Sequence, residues 1–343
     1  MTRNIAIFIC AVILNKSAVL ACGMIRDGLD FKDDAKEVTV RLNIVSHKEH
    51  LGFGEIDCAM YEKFLSRISQ MRHLQSLRIF FRNVPYDGLI FDCERLAGLT
   101  NLNTLVIESY YNYGTNSVSV SSLSVCKQMP LKELSLCNVN VDDVNVISKF
   151  ERLEELHCTT EELFRCAPSG LRVLRVYNAE FKGDVDLNRF SRMESLSLFD
   201  VKCASIQGLS SLTALESLDL IGVPVKNVSD IKVCPRLKYL RICNCREFDG
   251  MLNLADFKDV PLEDLHLENV PLRCIQSLED SPLESLIING AEIESINDIC
   301  RLPNLKELNV VNTKIRFVDK EHVKERFPKL ERLWYFYEYV EWD

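Results

Sequence analysis

Few residues in this chain have types and spacings that could do chemistry. His47 and His50 stand three apart, a spacing at which two imidazoles can reach one metal ion. No cysteine pair lies near enough in sequence to complete that site, so a solvated loop is the expected role and no metal is assigned. Cys243 and Cys245 form a Cys-x-Cys pair, shorter than the Cys-x-x-Cys of zinc and redox sites. Asn227-Val228-Ser229 is an N-glycosylation triplet, which would place Asn227 past a turn and exposed. The P-loop, the dinucleotide-binding glycine fingerprint and the His-Glu-x-x-His zinc motif do not occur. No sizeable region is left over for a catalytic domain, so neither an enzyme nor a cofactor is expected.

A group of another kind recurs every 22 residues: Tyr177, Phe199, Ile221 and Cys243. Two places before each stand Arg175, Ser197, Asp219 and Arg241, and Tyr239 stands two before Arg241. Large apolar side chains beside arginines and an aspartate suit a protein-binding hot spot, provided they are exposed. Whatever positions them must itself repeat. A tripled-apolar phrase such as LKELSL begins at Leu74, Leu102, Leu131, Leu153, Leu171, Met193, Leu215, Leu237, Leu262, Leu283, Leu305 and Leu330. The steps are 28, 29, 22, 18, 22, 22, 22, 25, 21, 22 and 25. Numbered from the first residue of each phrase, position 4 is always leucine and position 6 is Ile, Leu, Val, Cys or Tyr. That period of two is a short strand with positions 4 and 6 inward and 3, 5 and 7 outward. Apolar residues return at positions 11, 14, 17 and 20, as in Val141, Val144, Ile147 and Phe150, or Ile293, Ile296, Ile299 and Leu302. Steps of three suit a 3₁₀-like return segment. One repeat cannot bury its apolar face alone, but stacked neighbours can.

This pattern resembles the leucine-rich-repeat family over residues 74–343, and the regular members are similar to internalin-type short repeats. The resemblance implies an α/β solenoid: an arc of about twelve repeats plus caps, with a parallel β-sheet on its concave face. One feature departs from the family. Its usual asparagine at position 9 is replaced by Val139, Ala179, Val201, Val223, Cys245, Val270, Ala291 and Thr313. Asn138, Asn178, Asp200, Gly222, Asn244, Asn269, Gly290 and Asn312 sit at position 8 instead. Those types tolerate left-handed backbone, so they are expected to be turn residues rather than the family's asparagine ladder.

The ends differ from the middle. Arg3, the apolar run Ile5 to Leu14 and the small residues near Ala21 have the layout of a secretory signal peptide over 1–23, too short to span a bilayer. Residues 24–73 suit an N-terminal cap, with a strand at Val38 to Val45 and an amphipathic helix over 57–72. Repeats then fill 74–329, and the aromatic segment 330–343 suits a C-terminal cap strand. Residues 109–122 suit an exposed insertion loop.

The formal charge is −9 with both signs interspersed, so no basic run points to nucleic acid, and no later segment is a membrane span in the mature chain. The fourteen cysteines show no recurring pairs at matched positions. Cys158, Cys166, Cys203, Cys234 and Cys245 fall on core positions, where a thiol acts as a small hydrophobe. This usage is in tension with an oxidising compartment. The sequence therefore leads to a secreted, non-enzymatic protein that binds a partner protein through Arg175, Tyr177, Phe199, Asp219, Ile221, Tyr239 and Arg241 on the concave face. Its likeness to the secreted repeat proteins that microbes present implies a setting at a host-cell surface. An intracellular adaptor or regulatory subunit is the alternative.

Overall fold

The computed structural model describes residues 35–44, 55–56, 58–82, 89–110, 118–225, 228–245, 251–273, 275–315, 318–335 and 338–341. The signal-like segment, His47, His50 and Asn227 lie outside the described residues. The chain divides into two compact units, residues 1–130 and 131–343.

In the first unit the strands Glu37–Ile44, Ser76–Arg82 and Thr104–Tyr110 pair in parallel. The strand expected at Val38 to Val45 is the first of them. The Cys58–Ile68 helix buries Tyr61, Phe64, Leu65 and Ile68, which recur at helical spacing. Behind the sheet, Leu89–Asp92 pairs with Val118–Ser121. The insertion expected over 109–122 is therefore shorter than the sequence suggested. The alternation Val-Ser-Val-Ser has the period of a strand, and Val118 and Val120 are fully buried.

The second unit is a stack of repeats. Ten short strands, from Glu133–Cys137 to Arg332–Tyr335, pair in parallel in chain order. Glu338–Glu341 closes the row antiparallel to Arg332–Tyr335. Position-4 leucines such as Leu174, Leu196, Leu218 and Leu240 are fully buried and sit opposite one another in register. Each contributes roughly 1.5–3 kcal/mol of burial before conformational entropy is subtracted.

Every one of the eight position-8 residues named above has positive φ, between 49° and 72°. The chain leaves the strand there through left-handed backbone, which asparagine, aspartate and glycine accept at least cost. The turn also ties the stack together. Backbone N–H groups of Asn178, Asp200, Gly222 and Asn244 donate to the position-7 carbonyls of the following repeat, at 2.7–2.9 Å. Position 9 then points inward, and Val139, Ala179, Val201, Val223 and Cys245 are buried there. The expectation of turn residues without a ladder needs one correction. Asn269 Nδ2 donates to Asn244 Oδ1 at 2.8 Å, so at this pair the side chains link the repeats as well.

The return segments are short 3₁₀ helices, among them Val144–Lys149, Ser229–Val233 and Ile296–Asp298. Ile293, Ile296, Ile299 and Leu302 are all buried, as steps of three predict. In the Leu131 repeat the 3₁₀ turn rotates differently: Val144 is half-buried and Val146 takes the core place. The 18-residue step has its own cause. Thr160, at position 8, caps the Glu161–Arg165 helix by accepting from Leu163 N–H at 3.3 Å. That helix replaces the longer return and seats Phe164 against Phe181 and Phe190, with ring centroids 5.1 and 5.8 Å away.

Candidate functional site

The outward side of the second unit's sheet collects the residues that could recognise a ligand. Positions 4 and 6 fill the core, so strand alternation turns 3, 5 and 7 the other way. Strand register then decides which outward residues meet. Tyr177, Phe199, Ile221, Cys243 and Glu268 are successive partners along one rung. Arg175, Ser197, Asp219, Arg241 and His266 form the next rung, and Tyr239 the one after, beside Ser217 and Asp264. The seven residues expected to form a binding surface thus lie on four adjacent strands, about 4.8 Å apart. All seven are half-buried. Cys243, the fourth of the apolar row, is only 1% exposed and offers little surface to a partner protein.

The apolar row is ordered by its own contacts. Tyr177 and Phe199 stack with ring centroids 5.1 Å apart and planes 12° from parallel. His157 meets Tyr177 edge-on at 6.4 Å. The polar row beside it is paired. Arg175 donates to the Glu155 carboxylate, and His157 Nε2 lies 2.8 Å from Glu155 Oε1. Burial raises the Glu155 carboxyl, but the His157 hydrogen bond and the charges of His157 and Arg175 outweigh it, leaving a pKa below the ordinary carboxylate range. Asp219 goes the other way. Burial pushes it up, against the opposing pull of the Ser197 hydroxyl, which donates to it at 2.9 Å, and of Arg241. Burial, with the Asp219 charge adding to it, also pushes the Tyr239 phenol up to about 12. Arg241 Nε is enclosed and has no hydrogen-bond partner.

Glu155 and His157 extend the patch and were not singled out from sequence. Counted from Leu153, His157 occupies the same position 5 as Arg175 and is its partner in register, so the repeat numbering could have found it. In the first unit, Phe80 and Tyr110 approach to 5.7 Å on the outward side of longer, seven-residue strands. Tyr110 falls at position 9, which is inward in the regular repeats, so the 22-residue rule could not find it. A shallow hollow beside the position-8 turns is lined by Asp200, Lys202, Cys203, Gly222, Pro224 and Asn244. Among the described residues, metal-type donors converge once, where Cys243, His266 and Glu268 bring ligand atoms within 4.8 Å of one another.

No protein-family model matches the chain, and no curated protein does. Solved structures match it. An internalin from Listeria monocytogenes superposes with a TM-score of 0.51 at 15% identity, covering 88% of this chain and 87% of that one. A leucine-rich-repeat protein from Leptospira interrogans gives 0.40 at 15% identity, covering 78% and 91%. Internalin C2 from Listeria monocytogenes gives 0.37 at 17% identity, covering 52% and 74%. At such identities the likeness is one of fold. With the repeating leucines inward, the strands parallel and in register, and the internalin superposition spanning most of the chain, this protein has the leucine-rich-repeat fold.

Proposed function

We propose that the protein is a non-enzymatic recognition protein that binds a partner protein through the outward side of its second-unit sheet. The observation that carries this reading is the stacked Tyr177–Phe199 pair, continued by Ile221 and flanked by half-buried Arg175, Asp219, Tyr239 and Arg241. Parallel sheets ordinarily have both faces covered. Here one face carries large apolar side chains in a row, bordered by charges, which is the make-up of an interface anchor. An aromatic pair fixed by stacking also loses little side-chain freedom when a partner docks.

The expected setting is outside the cell that makes the protein, at the surface of a host cell. The signal-like N-terminus supports secretion, and the fold likeness to a listerial internalin fits that setting. One observation favours the second reading, an intracellular adaptor or regulatory subunit. The ten cysteines whose side chains are described are not joined in disulfides, and eight of them are buried. Core thiols suit a reducing compartment.

The experiment is comparative capture. Immobilised wild-type protein, a Tyr177→Ala/Phe199→Ala variant and a Lys258→Ala control are exposed to the same solubilised host-cell surface proteins. A protein retained by wild type and control, and lost from the double variant, supports the reading. Equal retention on all three would place recognition elsewhere.

A further inference from the structure

We propose that Cys243, His266 and Glu268 form a three-ligand site for a zinc ion on the outward side of the second-unit sheet. The strands Tyr239–Cys243 and Asp264–Glu268 are parallel neighbours, with Cys243 opposite Glu268 and Arg241 opposite His266. His266 and Glu268 are two apart on one strand and so share a face, and Cys243 joins them from the strand beside. Their donor atoms all lie within 4.8 Å of one another. Bonds of about 2.0–2.3 Å to a tetrahedral zinc would hold such atoms about 3.3–3.8 Å apart. Binding requires the donors to draw together by up to about 1.5 Å.

A second observation separates this cluster from an ordinary polar surface. His266 Nε2 is enclosed and has no hydrogen-bond partner. It stands 3.6 Å from Glu268 Oε2, too far for a hydrogen bond and well spaced for two ligands of one ion. An enclosed ring nitrogen left in this way is unfavourable, and a metal bond would satisfy it. Asn289 sits opposite Glu268 on the next strand, and its Oδ1 is also enclosed without a partner. It supplies an acceptor for a water in the fourth position.

The chemistry of the donors agrees. Sulfur, imidazole nitrogen and carboxylate oxygen are the ligand set of zinc rather than of calcium or magnesium. A bound metal displaces the Cys243 thiol proton, so the sulfur would enter the site as a thiolate. A thiolate and a carboxylate neutralise a divalent ion, and Asp219 balances Arg241. Cys245 takes no part. Its thiol donates to the Leu220 and Cys243 carbonyls at 3.4 and 3.5 Å, on the core side.

The test uses the full chain, reduced, stripped of metal and titrated with Co²⁺ and then Zn²⁺. One Co²⁺ per chain should bind with a thiolate-to-cobalt charge-transfer band, and Zn²⁺ should bleach it. Cys243→Ser should abolish the band, His266→Gln and Glu268→Gln should each weaken binding about 10-fold or more, and Cys245→Ser should leave it intact. Should Cys243→Ser not fold, the half-buried His266→Gln decides alone. No band in the wild-type chain, or a band that survives both Cys243→Ser and His266→Gln, would overturn the proposal.

Discussion

Gly222 shows how tightly one position can be specified. It has φ +64°, and an added Cβ would stand 2.1 Å from Asp200 Oδ1, the side chain of the preceding repeat's turn. Gly222→Ala therefore meets both backbone strain and a clash, and should lower stability by about 1–3 kcal/mol in urea unfolding. Gly170→Ala has nothing within 4 Å of the new carbon and no left-handed backbone. It should stay within about 0.5 kcal/mol of wild type. Asp219 gives a second residue-scale prediction, with its sign set by a raised pKa. A carboxyl raised on folding favours the folded state below its unfolded pKa of about 3.9 and loses that advantage as pH rises through the folded value. At neutral pH the ionised, half-buried Asp219 is thus a cost. Asp219→Asn should be neutral or stabilising in unfolding at pH 7 while weakening partner binding. Marked destabilisation at pH 7 would assign Asp219 a structural role. Glu155 has the opposite sign, because its pKa is lowered. Its contribution is present above about pH 4.3 and fades as pH falls through the folded value. Glu155→Gln should flatten the acid limb of the stability curve.

At the scale of elements, the Glu161–Arg165 helix is the part that the 22-residue pattern does not explain. Its last carbonyls are satisfied from the following repeat. Arg189 donates to Phe164 O and Arg165 O, and its guanidinium lies over the Phe190 ring at 4.6 Å. Arg189→Ala should cost about 1.5–3 kcal/mol, as charged hydrogen bonds do. Arg189→Lys should restore little of it, because one ammonium cannot reproduce the fork. Equal stability of Arg189→Lys and wild type would show that charge alone matters. Much at this scale was legible in the sequence. Period two gave the strands, steps of three gave the 3₁₀ returns, and residue type gave the left-handed turns at position 8. What escaped lies where the step departs from 22. Thr160 reads as one more strand-end residue until its capping bond to Leu163 is seen, and Val118 and Val120 sat in a polar stretch that looked like a loop. The Cys243–His266–Glu268 cluster escaped for a related reason. Its members are joined by strand register across a 25-residue step, and only Cys243 belongs to a local motif, with the wrong partner.

For the molecule as a whole, the inward residues fix the fold and leave the outward ones free to specify a ligand. Leucine at positions 1 and 4 says nothing of a partner, whereas the half-buried row from Tyr177 to Ile221 lies on the outward side and is, on the proposed reading, the anchor for one. Compartment is a separate question, answered by the intact mass of natively produced protein with thiol alkylation. A chain starting at Cys22 or Met24 is the expected result for the secreted reading, and a full-length chain with every thiol alkylated would favour the intracellular one. The measurement closest to the central claim is the affinity of a captured partner for folded wild-type and Tyr177→Ala/Phe199→Ala proteins. Two anchors at about 2 kcal/mol each predict a loss of at least 100-fold with unfolding curves little changed. A change of less than about 3-fold in a well-folded double variant would contradict recognition by this face.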